Sequence, residues 1–151
     1  MPADYFETSA VLKLYKPEVG SAKVEAIQKS AQSKPFLSKL ALIEVFSVFN
    51  RFVRKGTIAI ADYRRFEGLF LADLQAGAFD ILAVQDSHFT LAETLLRKHG
   101  QQRECQAPDA LHLAMAISIY QAGELAESVS ADRALLSLAA AENLPVNNPE
   151  L

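Results

Sequence analysis

Four acidic residues stand where a carboxylate needs a reason. Glu7 follows the apolar pair Tyr5-Phe6 and precedes Thr8-Ser9, while Glu44 interrupts the run Leu42-Ile43-Glu44-Val45-Phe46. Asp109 lies between Pro108 and Ala110-Leu111, and Asp132 follows Ser130-Ala131. A carboxylate in an apolar stretch is costly to bury unless it is paired or bound to a cation, which gives Glu44 particular weight. Taken singly, each acid has an ordinary explanation. Asp109 in a first helical turn offsets the helix dipole, Asp132 after a strand can cap a helix, and a helix turning its polar side outward accounts for a lone Glu44. Taken together, four converging carboxylates form an oxygen-only ligand set for a divalent metal, suited to Mg²⁺ or Mn²⁺ rather than zinc. No His/Cys cluster competes, since the chain has three histidines and a single cysteine, Cys105.

Several neighbours could support such a site. The hydroxyls of Thr8, Ser9 and Ser130 are placed to hydrogen-bond the carboxylates or a phosphate, or simply to cap helices. His112 follows Asp109 by three residues and shares its helix face, but its apolar surroundings read as those of a core histidine with both nitrogens satisfied. His88 and His99 read as surface or cap residues. Arg51, Arg54 and Lys55 make a basic end on one helix, and Lys13 and Lys16 follow the first acid. Either group could contact phosphates, although compensation of the helix dipole explains Arg54 and Lys55.

The elements that must position these residues can be read from apolar spacing and turn residues. Tyr5-Phe6 reads as a short strand, with Thr8-Ser9 capping a helix over Ala10–Tyr15 that Pro17 breaks. Glu18–Gln32 reads as a polar helix with Val24 and Ile27 on one side, and Pro35–Ser38 as a second strand. Lys39–Lys55 has helical spacing and is stopped by Gly56; Ile58–Gln75 is a further helix, with Tyr63, Phe66, Leu69, Phe70 and Leu74 as buried candidates. Phe79–Val84 reads as a strand, followed by a helix capped at Asp86 or Ser87 and running to about His99. After a polar connection, Pro108 opens an apolar helix that places Asp109 in its first turn and ends near Gln121. Ser128–Ser130 is then a strand, Asp132–Ala141 a helix, and Leu144–Val146 an edge strand that tolerates Pro145. Strands alternating with helices predict an α/β fold: three layers around a mostly parallel sheet of about five short strands. Sites in such sheets form at the carboxyl ends of the strands, the rim on which Glu7 and Asp132 fall.

At 151 residues and 50% hydrophobic, the chain is long enough for one good core, and a single domain over 1–151 is expected. Charged residues at 22%, with only six glycines and six prolines, exclude a disordered or low-complexity chain. A net charge of −3 counts only weakly against a nucleic-acid partner, because a metal held by several of the 18 acids would offset their field locally. One cysteine forms no internal disulfide, the opening Met1-Pro2-Ala3-Asp4 carries no export pattern, and no run is long enough to span a membrane. A cytoplasmic location is expected.

These motifs resemble those of the PIN-domain family, in particular the small VapC-type toxins of bacterial and archaeal toxin–antitoxin pairs. Residues 5–15 look like the family's opening strand and helix, Ser38-Lys39-Leu40-Ala41-Leu42-Ile43-Glu44 its second motif, Pro108-Asp109-Ala110-Leu111-His112-Leu113-Ala114 its third, and Ser130-Ala131-Asp132-Arg133-Ala134-Leu135 its fourth. Each is short, but their order, spacing and apolar context cover nearly the whole chain. The resemblance implies a PIN-like fold in which Glu7, Glu44, Asp109 and Asp132 bind Mg²⁺ or Mn²⁺ and cleave RNA, under the control of a VapB-type antitoxin that covers the acidic site. A homodimer is also expected; the aromatic hairpin between Leu40 and Phe70 could bind a second copy of the chain or the hydrophobic segment of an antitoxin, although interior packing accounts for most of its large side chains. The chain departs from the family at one point, with Glu7 where the first acid is ordinarily Asp. The extra methylene shifts the carboxylate by about a bond length, whereas Mg²⁺ requires near-ideal octahedral geometry. The alternative is therefore a catalytically weak or inactive PIN-like module that binds RNA or protein.

Overall fold

The computed structural model describes residues 1–151. Its centre is β1, Ala3–Phe6, a strand with all four residues buried. A sheet of five strands is built around it in the order β3-β2-β1-β4-β5, and every pairing is parallel. The other strands are β2 (Lys34–Ser38), β3 (Asp80–Leu82), β4 (Leu125–Val129) and β5 (Val146–Asn147). Successive side chains of a strand point to opposite faces, so β1 feeds two cores. Tyr5 joins a cluster with α5 (Asp86–His99), α6 (Ala107–Gln121) and α7 (Arg133–Ala141), whose buried members include Leu95, Leu113, Met115 and Leu138. Phe6 joins the opposite cluster with α1 (Thr8–Leu12), α2 (Ser21–Gln28), α3 (Lys39–Arg54) and α4 (Ile60–Gln75), where Val11, Val24, Phe49, Phe66 and Phe70 are buried. The result is the expected three-layer α/β architecture. No helix is long and apolar enough to cross a membrane.

The element boundaries differ from the sequence expectations where long-range partners decide them. β3 is shorter than Phe79–Val84 because β2, its one neighbour, gives way to α3 after Ser38, and pairing stops at Ser38 with Leu82. β4 starts upstream, at Leu125, because it lies between β1 and β5 and pairs from there with Ala3. Leu144 is not a strand residue: its amide closes the end of α7 on Ala139 and its side chain is buried, so β5 begins later. The polar stretch before α2 stays irregular up to Gly20, whose φ of +89° suits glycine and whose Cα approaches the tail closely enough that a Cβ would lie 2.9 Å from the Pro149 carbonyl oxygen. In α4, Phe66 and Phe70 are buried one turn apart, whereas Leu69, expected inside, points outward and is 51% exposed.

Candidate functional site

The strand order reverses direction between β1 and β4. Chain order runs outward through β2 and β3 on one side and through β4 and β5 on the other, so the segments leaving β1 and β4 diverge and open a crevice at the carboxyl end of the sheet. Glu7 leaves β1 there, and Ser130 to Asp132 leave β4. α3 contributes Glu44 and the N-terminus of α6 contributes Asp109. All four acids line one cleft of about 420 Å³, along with Thr8, Ser9, Arg51 and Phe52.

Glu7 is the N-cap of α1: its Oε2 accepts hydrogen bonds from the Ser9 amide and hydroxyl and from the Ser130 hydroxyl, at 3.1 Å for the last. Thr8 and Ser9, expected as caps, instead lie in the first turn of α1. The cap position falls to Glu7 because the backbone leaves β1 in an extended conformation there, at φ −78° and ψ 160°. The Ser9 hydroxyl also accepts from the Ala131 amide, and the Ser130 hydroxyl from the Asp132 amide, so the two serines tie the end of β1 to the end of β4. Asp109 Oδ2 accepts from the Gln106 amide at 2.9 Å and Asp132 Oδ1 from the Leu135 amide at 3.1 Å. The ordinary capping explanation thus applies to both aspartates, yet it occupies one oxygen of each, and the second has no protein donor.

Glu44 is held differently. Its Oε1 accepts from the Thr8 hydroxyl at 2.8 Å and from His112 Nε2 at 2.6 Å. The other ring nitrogen of His112, Nδ1, lies 2.7 Å from the Tyr5 hydroxyl. Burial pushes the Tyr5 phenol above its ordinary pKa, and His112 bridges Tyr5 and Glu44 through its two ring nitrogens. His112 is a satisfied core histidine, as its apolar setting suggests, but one of the groups that satisfies it is an acid of the cleft. The spacing of His112 from Asp109 pointed to the cleft; its link to Glu44, 68 residues away, had no signal in the sequence.

The electrostatics separate the acids. Burial pushes Glu7 above the ordinary carboxylate range; His112 and the Ser9 donors oppose this, and the charge of Asp132 adds to it. Burial also raises Asp109, against the Gln106 amide and with help from the charges of Asp132 and Glu44. For Glu44 burial acts in the same direction, but hydrogen bonding and attraction from His112, with Thr8, outweigh it and hold the group below its usual value. Asp132 thus acts on both Glu7 and Asp109, and Glu44 on Asp109, across the cleft. No three His, Cys, Asp or Glu side chains stand close enough to ligate a single ion directly.

Two further sequence expectations are corrected. Lys13, considered for phosphate contact, is buried: its ammonium binds Glu18 at 3.0 Å, the Val19 carbonyl and Glu150. His99, expected as a surface or cap residue, is 4% exposed in the last turn of α5, with Nε2 2.9 Å from Glu142 at the end of α7. His88 does cap its helix, its Nδ1 accepting from the Gln85 amide.

Comparison with known proteins gives this geometry a context. No curated protein matches the sequence. Among solved structures, the chain is similar to VapBC2 of Rickettsia felis bound to a promoter DNA fragment, at TM-score 0.65 and 15% identity over 97% of this chain and 98% of that one. It is also similar to FitAcB of Neisseria gonorrhoeae, at TM-score 0.63 and 17% identity over 96% of each chain. A third similar structure is VapC20 of Mycobacterium tuberculosis, a Sarcin-Ricin loop cleaving toxin, at TM-score 0.63 and 16% identity over 88% of this chain and 92% of that one. At such identities the likeness is one of fold. The sequence profile of the PIN domain matches residues 5–140, a span that includes all four acids, and the chain belongs to the PIN-domain family.

Proposed function

We propose that this chain is a metal-dependent endoribonuclease, the toxin of a VapBC-type toxin–antitoxin pair, acting as one PIN domain over residues 1–151. The observation that carries the proposal is the convergence of Glu7, Glu44, Asp109 and Asp132, from four separate segments, on one cleft at the switch point of the sheet. Mg²⁺ or Mn²⁺ would be held by these carboxylates, partly through water, and when bound it would lower the pKa of a coordinated water and neutralise charge building on a phosphodiester. The protein's own part is to aim the carboxylates. Ser9 and Ser130 fix Glu7, Thr8 and His112 fix Glu44, and the first turns of α6 and α7 fix Asp109 and Asp132.

The antitoxin partner is proposed from the toxin–antitoxin complexes among the similar structures. A homodimer is supported by an apolar groove beside the site, where Ile43 and Phe89 are 62% and 55% exposed and Leu40, Val84 and Leu111 complete the wall. The second reading, a weak or inactive RNA- or protein-binding module, is favoured by Glu7 alone, because its carboxylate is engaged by three donors and raised in pKa by burial. Incubating the protein with structured RNAs in Mg²⁺ and in Mn²⁺, alongside Glu7→Asp and Asp109→Asn, separates the two. Cleavage that Asp109→Asn abolishes supports the nuclease; no cleavage by either the native chain or Glu7→Asp sinks it.

A further inference from the structure

Arg51 is the one basic residue lining the acidic cleft. It lies two helical turns beyond Glu44 on the same face of α3, about 10 Å along the axis, with Val48 between them on the cleft wall. A guanidinium beside four carboxylates would ordinarily be drawn into an ion pair, but Arg51 takes part in none and is exposed. Dipole compensation accounts for a charge in the last turn of α3, which Arg51 shares with Arg54, but only Arg51 lines the cleft. Phe52, the next residue, borders the same cleft, and the Lys16 ammonium stands 5.6 Å from the centre of its ring. Lys16 is itself held only loosely, 3.8 Å from Glu18. An acidic centre thus adjoins a shoulder of two cations and an aromatic ring. Guanidinium groups bind phosphate through paired hydrogen bonds, and aromatic rings at nucleic-acid sites pack against bases that are not held in a duplex.

We propose that Arg51, with Phe52 and Lys16 beside it, forms a subsite for the nucleotide adjacent to the cleaved bond of single-stranded RNA, Arg51 on its phosphate and Phe52 against its base. The subsite rests on reading the cleft as an RNA site. Because Arg51 stands two turns from Glu44, it meets a neighbouring phosphate and leaves the scissile one to the acids. Single-stranded RNA is favoured over a duplex because only an unpaired base can reach the Phe52 ring.

The test is fluorescence anisotropy of a short, random-sequence, single-stranded oligoribonucleotide with the full chain carrying Asp109→Asn to prevent turnover, over a series of salt concentrations. Adding Arg51→Ala should weaken binding about tenfold or more and reduce the slope of log affinity against log salt by about 0.7. Arg51→Lys should restore the slope but only part of the affinity, because it keeps the charge and loses the fork. Phe52→Leu, which keeps aliphatic packing at this partly buried position, should weaken binding about fivefold or more, and an affinity equal to that of the parent removes Phe52 from the subsite. Affinity and salt slope unaltered by Arg51→Ala overturn the subsite. Equal Arg51-dependent binding of a duplex oligoribonucleotide overturns the single-strand assignment. RNA cleavage by the native chain together with an inert Arg51→Ala removes the subsite and leaves the nuclease, whereas Arg51-dependent binding without cleavage by the native chain or Glu7→Asp supports the subsite and removes the nuclease.

Discussion

Glu7 and Glu44 share one cleft and face opposite electrostatic conditions. The folded pKa of Glu7 is raised from its ordinary 4.5, so ionising it opposes folding. The opposition is fully present above the folded pKa and disappears as pH falls below the ordinary value. Glu7→Gln should therefore melt higher than the native chain at neutral pH, with the gap closing on acidification through the carboxylate range; parallel melting curves across pH would refute this. Glu44 is lowered, so its charge stabilises the fold above its ordinary 4.5, and that contribution is lost as pH falls through its folded pKa. Glu44→Gln should show the reverse trend. His112 joins Tyr5 to Glu44 inside the protein. Replacing it with leucine takes the partner from the buried phenol and leaves Glu44 with Thr8 alone, and a buried polar group left without a partner costs about 1–3 kcal/mol. Urea denaturation of His112→Leu should report a loss of at least that size, and Tyr5→Phe a smaller one.

The helices matter as supports for these side chains. α3 is anchored by Ala41, Val45 and Phe49 against the sheet, which leaves the face carrying Glu44, Val48 and Arg51 toward the cleft. Phe49 is fully buried and packs against Phe66 with ring centres 5.5 Å apart. Phe49→Ala should cost about 3–5 kcal/mol in denaturant unfolding and, by loosening α3, weaken Mn²⁺ binding without touching a ligand. α1 has only five residues and cannot be stable alone. It is held by the Glu7 cap and by buried Lys13, which ties its end to Glu18, the Val19 carbonyl and Glu150. Gly20 lets the chain turn under Pro149 at this point, and Gly20→Ala meets both an unfavourable φ and a backbone atom at 2.9 Å. Its melting temperature should fall, corresponding to more than about 1 kcal/mol.

Across the whole molecule, the cleft gathers four acids of which none pairs with a lysine or arginine, and Glu44 alone has an imidazole partner, His112 at 2.6 Å. A divalent cation bound there should stabilise the native state by mass action, by about 2.7 kcal/mol when free metal is a hundred times its dissociation constant. Thermal melts titrated with Mn²⁺ should show a saturable rise, larger at neutral than at acid pH because Glu7 and Asp109 are raised in pKa, and much reduced in Asp109→Asn. A melting temperature indifferent to Mn²⁺ would contradict the metal site.

Local sequence determined the alternation of strands and helices and the elements that carry all four acids, because side-chain periodicity and turn residues act over a few residues; it did not fix the buried face of α4, where Leu69 turned outward. The placement of Glu7 after β1 and of Asp132 after β4 was legible for the same reason, and the parallel sheet followed from the alternation of strands with helices. What only the tertiary structure decided depends on partners far apart in the chain: the strand order that opens the crevice, the bond from His112 to Glu44, the burial of Lys13 and His99, and the solitary Arg51 on the cleft wall. Periodicity says which side of a helix is apolar. It carries no information about which element covers that side, and the environment of a polar residue, with its charge state, is set by that covering element.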